Sequence, residues 1–258
     1  MLIFRLVRMV MHVITGLLTC ALIFPHLNAA KRNERIWRWS AKLLEMCRVR
    51  VKVQGELVQN ALVVSNHVSW LDIYVINSQQ PCRFVAKDSI RSWPVVGWLC
   101  EQAGTVFLQR GNARDLRRIF HNLVENMQAG GRFAFFPEGT TSNQGTLLPF
   151  HPNLFEAAID AGVPVQPYAL RYLDAAGRPH PTIGFVGEIS LLESILAIAG
   201  GSEIIVELQM LPVLPTEGAR RRELAFESRQ AIANALGLDV GVADSQPETE
   251  RGLQAAPR

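Results

Sequence analysis

An α/β fold, with a mixed, mostly parallel sheet flanked by helices and an N-terminal membrane-associated helical arm, is the architecture this sequence predicts. Three observations carry it. From residue 49 to residue 210, short apolar runs alternate with amphipathic stretches and turn residues, as strands connected through helices do. Several runs are apolar throughout rather than alternating, the pattern of strands covered on both faces. The polar residues able to do chemistry fall just after these runs, at strand ends, where α/β proteins place their ligands.

The N-terminal arm comes first. Residues 9–24 are almost wholly apolar, interrupted by His12, two threonines and Gly16, and Pro25 ends the run. The run is slightly short of the roughly 20 residues that cross a bilayer as a helix. Arg5 and Arg8 precede it; Lys31, Arg32, Arg35, Arg38 and Lys42 follow it. A secretory signal peptide has the same apolar length and basic start. Leu27-Asn28-Ala29-Ala30 is a mediocre cleavage site, however, and the basic stretch after it favours retention on the cytoplasmic side. Residues 34–47 form a second helix candidate. Ile36, Trp39, Leu43 and Cys47 share a face, Trp37 and Leu44 adjoin it, and basic residues fill much of the rest. Basic residues beside tryptophans suit a helix in the headgroup layer, the plainer alternative being a helix packed on the core. The arm is therefore expected to be monotopic, with a single crossing as the alternative.

The remaining elements follow in order. Val49, Val51 and Val53 alternate and predict a first strand. Residues 61–65, 83–86, 105–108 and 132–136 predict strands of the buried type, and 163–170 and 183–186 two more. Residues 203–210 alternate, with Ile204, Val206, Leu208 and Met210 on one face. A helix capped by Asn112 carries the stripe Leu116, Ile119, Phe120, Leu123, Val124 and Met127 and stops at Gly130-Gly131. Trp93-Pro94-Val95-Val96-Gly97-Trp98 reads as an apolar loop, compatible with lining an apolar channel, touching lipid or packing in the core. A last helix over 220–236 sets Leu224, Ser228, Ala231, Ile232 and Ala235 on one side. The organisation expected is an arm over 1–48, one α/β domain over 49–240, and a disordered tail over 241–258.

Composition sets limits. A chain of 258 residues buries one sizeable core with appendages. A net charge of +3 is too small to argue for nucleic acid. Cys20, Cys47, Cys82 and Cys100 lack metal-like or disulfide-like spacing, so reduced structural thiols are expected. His121, His151 and His180 have no metal-like grouping, and no metal is expected.

The most informative run is Asn66-His67-Val68-Ser69-Trp70-Leu71-Asp72, after the apolar residues 61–65. A histidine titrates near neutral pH and accepts a proton from a hydroxyl; an aspartate on its other ring nitrogen orients it. Residues five apart on one helix are rotated by about 140° and cannot meet easily. The pair therefore requires His67 in a turn and a helix starting near Ser69, a plausible N-cap. No serine or cysteine stands in a nucleophile-elbow pattern, so direct activation of a substrate hydroxyl is the simplest chemistry. Taken alone, this spacing is also met in a histidine capping a helix beside a surface aspartate.

The run does not stand alone. Asn66-His67 through Asp72 resembles the first motif of the glycerolipid acyltransferases, which transfer a fatty acyl chain to a lysophospholipid or glycerol phosphate. Gly104-Thr105-Val106-Phe107-Leu108-Gln109-Arg110 resembles their second motif, Phe136-Pro137-Glu138-Gly139-Thr140 is similar to the third, and Val163-Pro164-Val165-Gln166-Pro167 looks like the fourth. All four occur in family order, and the overall resemblance is to bacterial 1-acyl-glycerol-3-phosphate acyltransferases. It implies His67 as base and Asp72 as its orienter, Arg110 on the acceptor phosphate, and Glu138-Gly139 in acceptor binding. Gly104 is expected at a tight turn or a close ligand approach. In one common form of the third motif a basic residue follows Glu-Gly-Thr; here that residue is Thr141, so Lys87, Arg110 or Arg171 has to supply the missing charge.

The expected activity is transfer of an acyl group from acyl-CoA or acyl carrier protein to the 2-hydroxyl of 1-acyl-glycerol-3-phosphate, giving phosphatidic acid in phospholipid biosynthesis. Neither an acyl-enzyme nor a bound cofactor is expected. The expected partners are the lysophospholipid, the acyl carrier and the lipid surface, with the site on the cytoplasmic side of the inner membrane. Another acceptor such as lyso-ornithine lipid is the alternative within the family. A non-catalytic lipid-binding protein of the same fold and a thioester hydrolase are the alternatives outside that activity.

Overall fold

The computed structural model describes residues 2–108 and 113–239, the side chains of residues 113–116 excepted. Its centre is a seven-stranded sheet of β1 (Val49–Gln54), β2 (Leu62–Ser65), β3 (Arg83–Lys87), β4 (Val106–Leu108), β5 (Phe133–Phe135), β6 (Val165–Leu173) and β7 (Ile204–Met210), in the order β1-β7-β6-β2-β5-β3-β4. Every neighbouring pair is parallel except β6–β7. The mixed, mostly parallel sheet flanked by helices is therefore as the sequence predicts.

Alternation along each strand divides the core between the two faces of the sheet. Val63, Phe84, Ala134, Tyr168, Leu170 and Tyr172 point to one face. That face is covered by α2 (Ala29–Met46), α3 (Asp72–Asn77) and α7 (Leu191–Gly200), joined by Met9 of α1 (Leu2–Leu18). Leu62, Val64, Val85, Phe133, Phe135 and Val165 point to the other, under α5 (Ala113–Gln128), α6 (Phe155–Ala161) and α8 (Arg221–Leu236). β2 is buried along its whole length, which explains its unbroken apolar sequence. β7 alternates because one of its faces is only half covered.

Several expectations need correction. α1 begins at Leu2, not at residue 9, and runs through a π turn (Thr19–Ile23) and a 3-10 turn (Phe24–His26), giving a continuous 25-residue helical stretch. That length and composition suffice to cross a bilayer, which the sequence reading placed slightly short. α2 starts at Ala29, before residue 34, because the Asn28 side chain accepts from the Lys31 N–H at 2.9 Å and caps it. α1 and α2 lock together: the His12 ring stacks on Trp39 at 4.5 Å, and Gly16 leaves the room that the indole occupies.

Residues 183–186 form no strand. The Phe185 N–H donates to the Val68 carbonyl at 3.3 Å, and Ile183 is buried without joining the sheet. The stretch 93–98 is only partly a loop, since α4 (Val96–Gln102) begins inside it, after a 3-10 turn at Asp88–Ser92. Helices α6 and α7 were not anticipated. Arg110, the Asn112 cap and the tail over 241–258 lie outside the described residues. The four cysteines are free thiols.

Candidate active site

Four parallel strands end side by side along one edge of the sheet, in the order β2, β5, β3, β4. β2 runs into Asn66-His67, β5 into Phe136-Pro137-Glu138, and β3 ends at Lys87, opposite Leu108 of β4. Topology thus gathers residues from separate motifs on one edge.

The chain leaves β2 in a defined way. Buried Asn66 donates from Nδ2 to the Leu170 carbonyl at 3.0 Å and accepts from the Leu170 N–H at 2.8 Å, so its side chain bonds to the β6 backbone. The next residues turn, with the Asp72 N–H on the Ser69 carbonyl at 3.1 Å, and α3 begins at Asp72 rather than at Ser69. The turn brings together two residues that a continuous helix would hold apart.

Asp72 is fully buried and all its partners are donors. Oδ2 accepts from His67 Nδ1 at 2.8 Å, from the Val68 N–H at 2.8 Å and from the Ser69 N–H at 3.0 Å. Oδ1 accepts from the Tyr172 hydroxyl. An ionised carboxylate only accepts, so Nδ1 carries the proton and Nε2 is left as the basic nitrogen. The His67 ring lies flat on Phe136, with centroids 3.9 Å apart and planes 7° from parallel. Its side chain is 19% exposed, so the ring is partly open to solvent.

Buried Glu138 holds this histidine by its backbone. Oε1 accepts from the His67 N–H at 2.7 Å and Oε2 from the Leu148 N–H at 3.0 Å. The Ser142 N–H donates to the His67 carbonyl at 2.7 Å, so the loop after β5 grips the peptide of His67 at both ends. Burial pushes the Glu138 carboxyl above its ordinary range, opposed by the Leu148 and His67 N–H bonds and the nearby imidazole. Gly139 follows at φ +69°, a conformation that favours glycine, and a Cβ there would lie a tight 3.3 Å from the His151 ring.

The other sequence-predicted residues are placed differently. Lys87 is exposed at the end of β3, on the same edge as His67. Gly104, at φ +83°, precedes β4 and packs against the Arg83 side chain, at the opposite end of that strand from Leu108. The structure therefore brings His67, Asp72, Glu138 and Gly139 into one cluster and leaves Gly104 outside it. Thr141 donates its hydroxyl to the Phe185 carbonyl. Beside it opens a cleft of about 520 Å³, lined by Trp93, Thr140, Thr141, Phe185, Ile189 and Leu191 among others. Trp93, at one end of the apolar stretch, thus faces a cavity.

Sequence reasoning missed Tyr172, and nothing in the pattern marks it. It shares the inward phase of β6 with Tyr168 and Leu170 and reads as core packing. Burial, together with the neighbouring Asp72 charge, pushes its hydroxyl far above the usual tyrosine range, so it remains a donor at any working pH. Among the described residues no cluster of histidine, cysteine and carboxylate groups is arranged to hold a metal.

Residues 48–171 match the Acyltransferase family model. The lyso-ornithine lipid O-acyltransferase of Pseudomonas aeruginosa is 37% identical over 214 residues, covering 82% of this chain and 82% of that protein. The 1-acyl-sn-glycerol-3-phosphate acyltransferase of Neisseria gonorrhoeae is 44% identical over 185 residues, covering 70% of this chain and 71% of that protein. The crystal structure of the 1-acyl-sn-glycerophosphate acyltransferase PlsC from Thermotoga maritima superposes with a TM-score of 0.60 at 20% identity, covering 90% of this chain and 96% of that one, and so shares the fold.

Proposed function

The chain belongs to the acyltransferase family, and from that premise we propose that it transfers a fatty acyl group from acyl-CoA or acyl carrier protein to the 2-hydroxyl of 1-acyl-sn-glycerol-3-phosphate. The observation that carries this reading is the 2.8 Å contact between His67 Nδ1 and the buried Asp72, which leaves Nε2 as the basic nitrogen of a partly exposed ring. Nε2 takes the hydroxyl proton as the oxygen attacks the thioester carbonyl. Asp72 stabilises the imidazolium as it forms, and collapse of the tetrahedral intermediate expels the thiolate, which takes the proton back from Nε2. Lys87 and Arg110 are the cations assigned to the acceptor phosphate, with Glu138 and Gly139 shaping the loop around it and Gly104 serving the turn before β4. The reaction needs no bound cofactor.

Thr141 supports a second acceptor. Its position, basic in one common form of the motif, carries a neutral hydroxyl already spent on the Phe185 carbonyl. A phosphate-free acceptor such as lyso-ornithine lipid fits that loss of charge. Purified protein given labelled acyl-CoA or acyl carrier protein with a panel of lysolipids separates the two: product on lysophosphatidic acid alone supports the first acceptor, and product on lyso-ornithine lipid alone the second. Under the second reading Thr141→Arg raises activity on the phosphate acceptor relative to the phosphate-free one. An unchanged ratio in Thr141→Arg removes this residue from acceptor choice. Product with neither lysolipid, but release of free acid, would overturn acyl transfer in favour of hydrolysis.

The acceptor is a membrane lipid, and the arm supplies the means to reach it. Ile3, Phe4, Val7, Val10, Met11, Ile14, Leu18 and Leu22 of the N-terminal helical stretch are exposed apolar side chains, while Met9, His12 and Gly16 face the protein. We assign this face to lipid contact at the cytoplasmic side of the inner membrane, supported by the basic residues of α2. Val7→Glu with Val10→Glu is expected to shift the protein from floating with phospholipid vesicles to the soluble fraction. Undiminished flotation would remove this face from membrane binding.

A further inference from the structure

The acyl-transfer reading gives Asp72 one task, to orient His67, and uses only one of its oxygens on the imidazole. The other oxygen is also occupied. It faces the Tyr172 hydroxyl, which comes from β6, a hundred residues further along the chain. Tyr172 is itself fixed: its side chain is fully buried, and its backbone N–H donates to Gln144 Oε1 at 2.7 Å, in the loop whose Ser142 holds the His67 carbonyl. Rotation of the carboxylate about its own axis would break this contact together with the bonds on its other oxygen.

We propose that Tyr172 is a positioning residue for the base: its hydroxyl pins the second oxygen of Asp72 and sets how strongly the His67–Asp72 pair holds a proton. A donor on the carboxylate stabilises the anion and lowers its pull on the imidazolium. Removing it raises the proton affinity of the pair, whichever partner carries the proton. The base is then blocked by protonation at a higher pH. The other titratable groups around the pair do not duplicate this contact. Glu138, after β5, reaches the His67 backbone, and His151 packs against Gly139. Cys47 of α2 and Cys100 of α4 lie toward Tyr74 of α3, and Trp70 in the turn before α3 donates to Ser194 of α7. Arg171, next in β6, is paired with Glu207 of β7.

This proposal rests on the reading of His67 as the base, and the experiment separates the two. kcat and KM are measured against pH for the full chain, Tyr172→Phe and Tyr168→Phe. Tyr168 is an equally buried tyrosine whose hydroxyl is engaged by Arg132, so it controls for the loss of a buried hydroxyl as such. The expected result for Tyr172→Phe is a roughly ten-fold lower kcat, KM values near those of the parent, and an acid limb displaced to higher pH. Tyr168→Phe leaves the limb in place. A second probe covers a Tyr172→Phe chain that fails to fold: uniform replacement of the three tyrosines by ring-fluorinated tyrosine, a stronger donor of the same shape. It should move the acid limb to lower pH, equally in the parent and in Tyr168→Phe. An acid limb that stays with the parent in Tyr172→Phe, or in the fluorinated chain when Tyr172→Phe does not fold, overturns the proposal and leaves Tyr172 a packing residue. Activity that survives His67→Ala overturns the underlying reading instead.

Discussion

His67→Ala is expected to lose nearly all acyl transfer, a fall of about 10²–10⁴-fold in kcat, with the fold intact. The size follows from the proposed role, in which Nε2 accepts the hydroxyl proton as the oxygen attacks. The intact fold follows from the surroundings. The imidazole is half-buried, and its side-chain contacts are the Phe136 face and one bond to Asp72; the backbone bonds to Glu138 and Ser142 survive the substitution. Loss of the ring stack costs about 0.5–1.5 kcal/mol. Asp72 also keeps three of its four donors. The check is kcat at saturating acceptor together with a thermal melt. A well-folded variant that retains activity within a few-fold of the parent would exclude His67 as the base.

The second large effect is expected at Glu138. Glu138→Ala removes the acceptor from two N–H groups at once, those of His67 and Leu148. Each buried donor left unpaired costs about 1–3 kcal/mol, so the variant should lose about 2–6 kcal/mol of stability. That is a large part of the 5–15 kcal/mol typical of a folded protein. Transfer should fall with it, because the His67 backbone then keeps only the Ser142 bond to its carbonyl. Glu138→Gln keeps the shape and one accepting oxygen and should lose less of both.

The pH dependence distinguishes the two variants further. Burial holds the Glu138 carboxyl above its ordinary value of 4.5, so the folded chain binds this proton more readily than the unfolded one. The contribution is fullest below the unfolded value and is lost as pH rises through the raised one. Glu138→Gln has no such proton and should flatten the dependence over that window in melting curves. Parent-like stability and activity in Glu138→Ala would show that this carboxylate holds nothing of consequence.

Much of the molecule was legible in its residues, for reasons that can be named. Strands buried on both faces have to be apolar throughout, so residues 61–65 announced β2, and the clean alternation at 203–210 announced β7. The pairing of His67 with Asp72 was legible because the two stand five apart just after a strand, where a turn brings them together. Other signals were present and passed over. Ser190-Leu191-Leu192-Glu193 carries a capping box, with both reciprocal bonds formed, and it starts α7. Gly162, at φ +65°, ends α6 as a left-handed C-cap. The expected strand at 183–186 failed because a short apolar run records burial and not pairing, and Ile183 is buried outside the sheet.

By itself the sequence determined what is written locally: which segments are apolar, where they turn, and which side chains stand at the turns. Those properties depend on neighbours along the chain, and periodicity reports them. The tertiary structure alone decided who faces Asp72 and what Glu138 holds. Tyr172 meets Asp72 across a hundred positions because β6 lies beside β2 in the sheet, and Glu138 meets the His67 amide because β5 lies on the other side of β2. Strand order is a compromise among all the packing surfaces at once, and no local pattern encodes it.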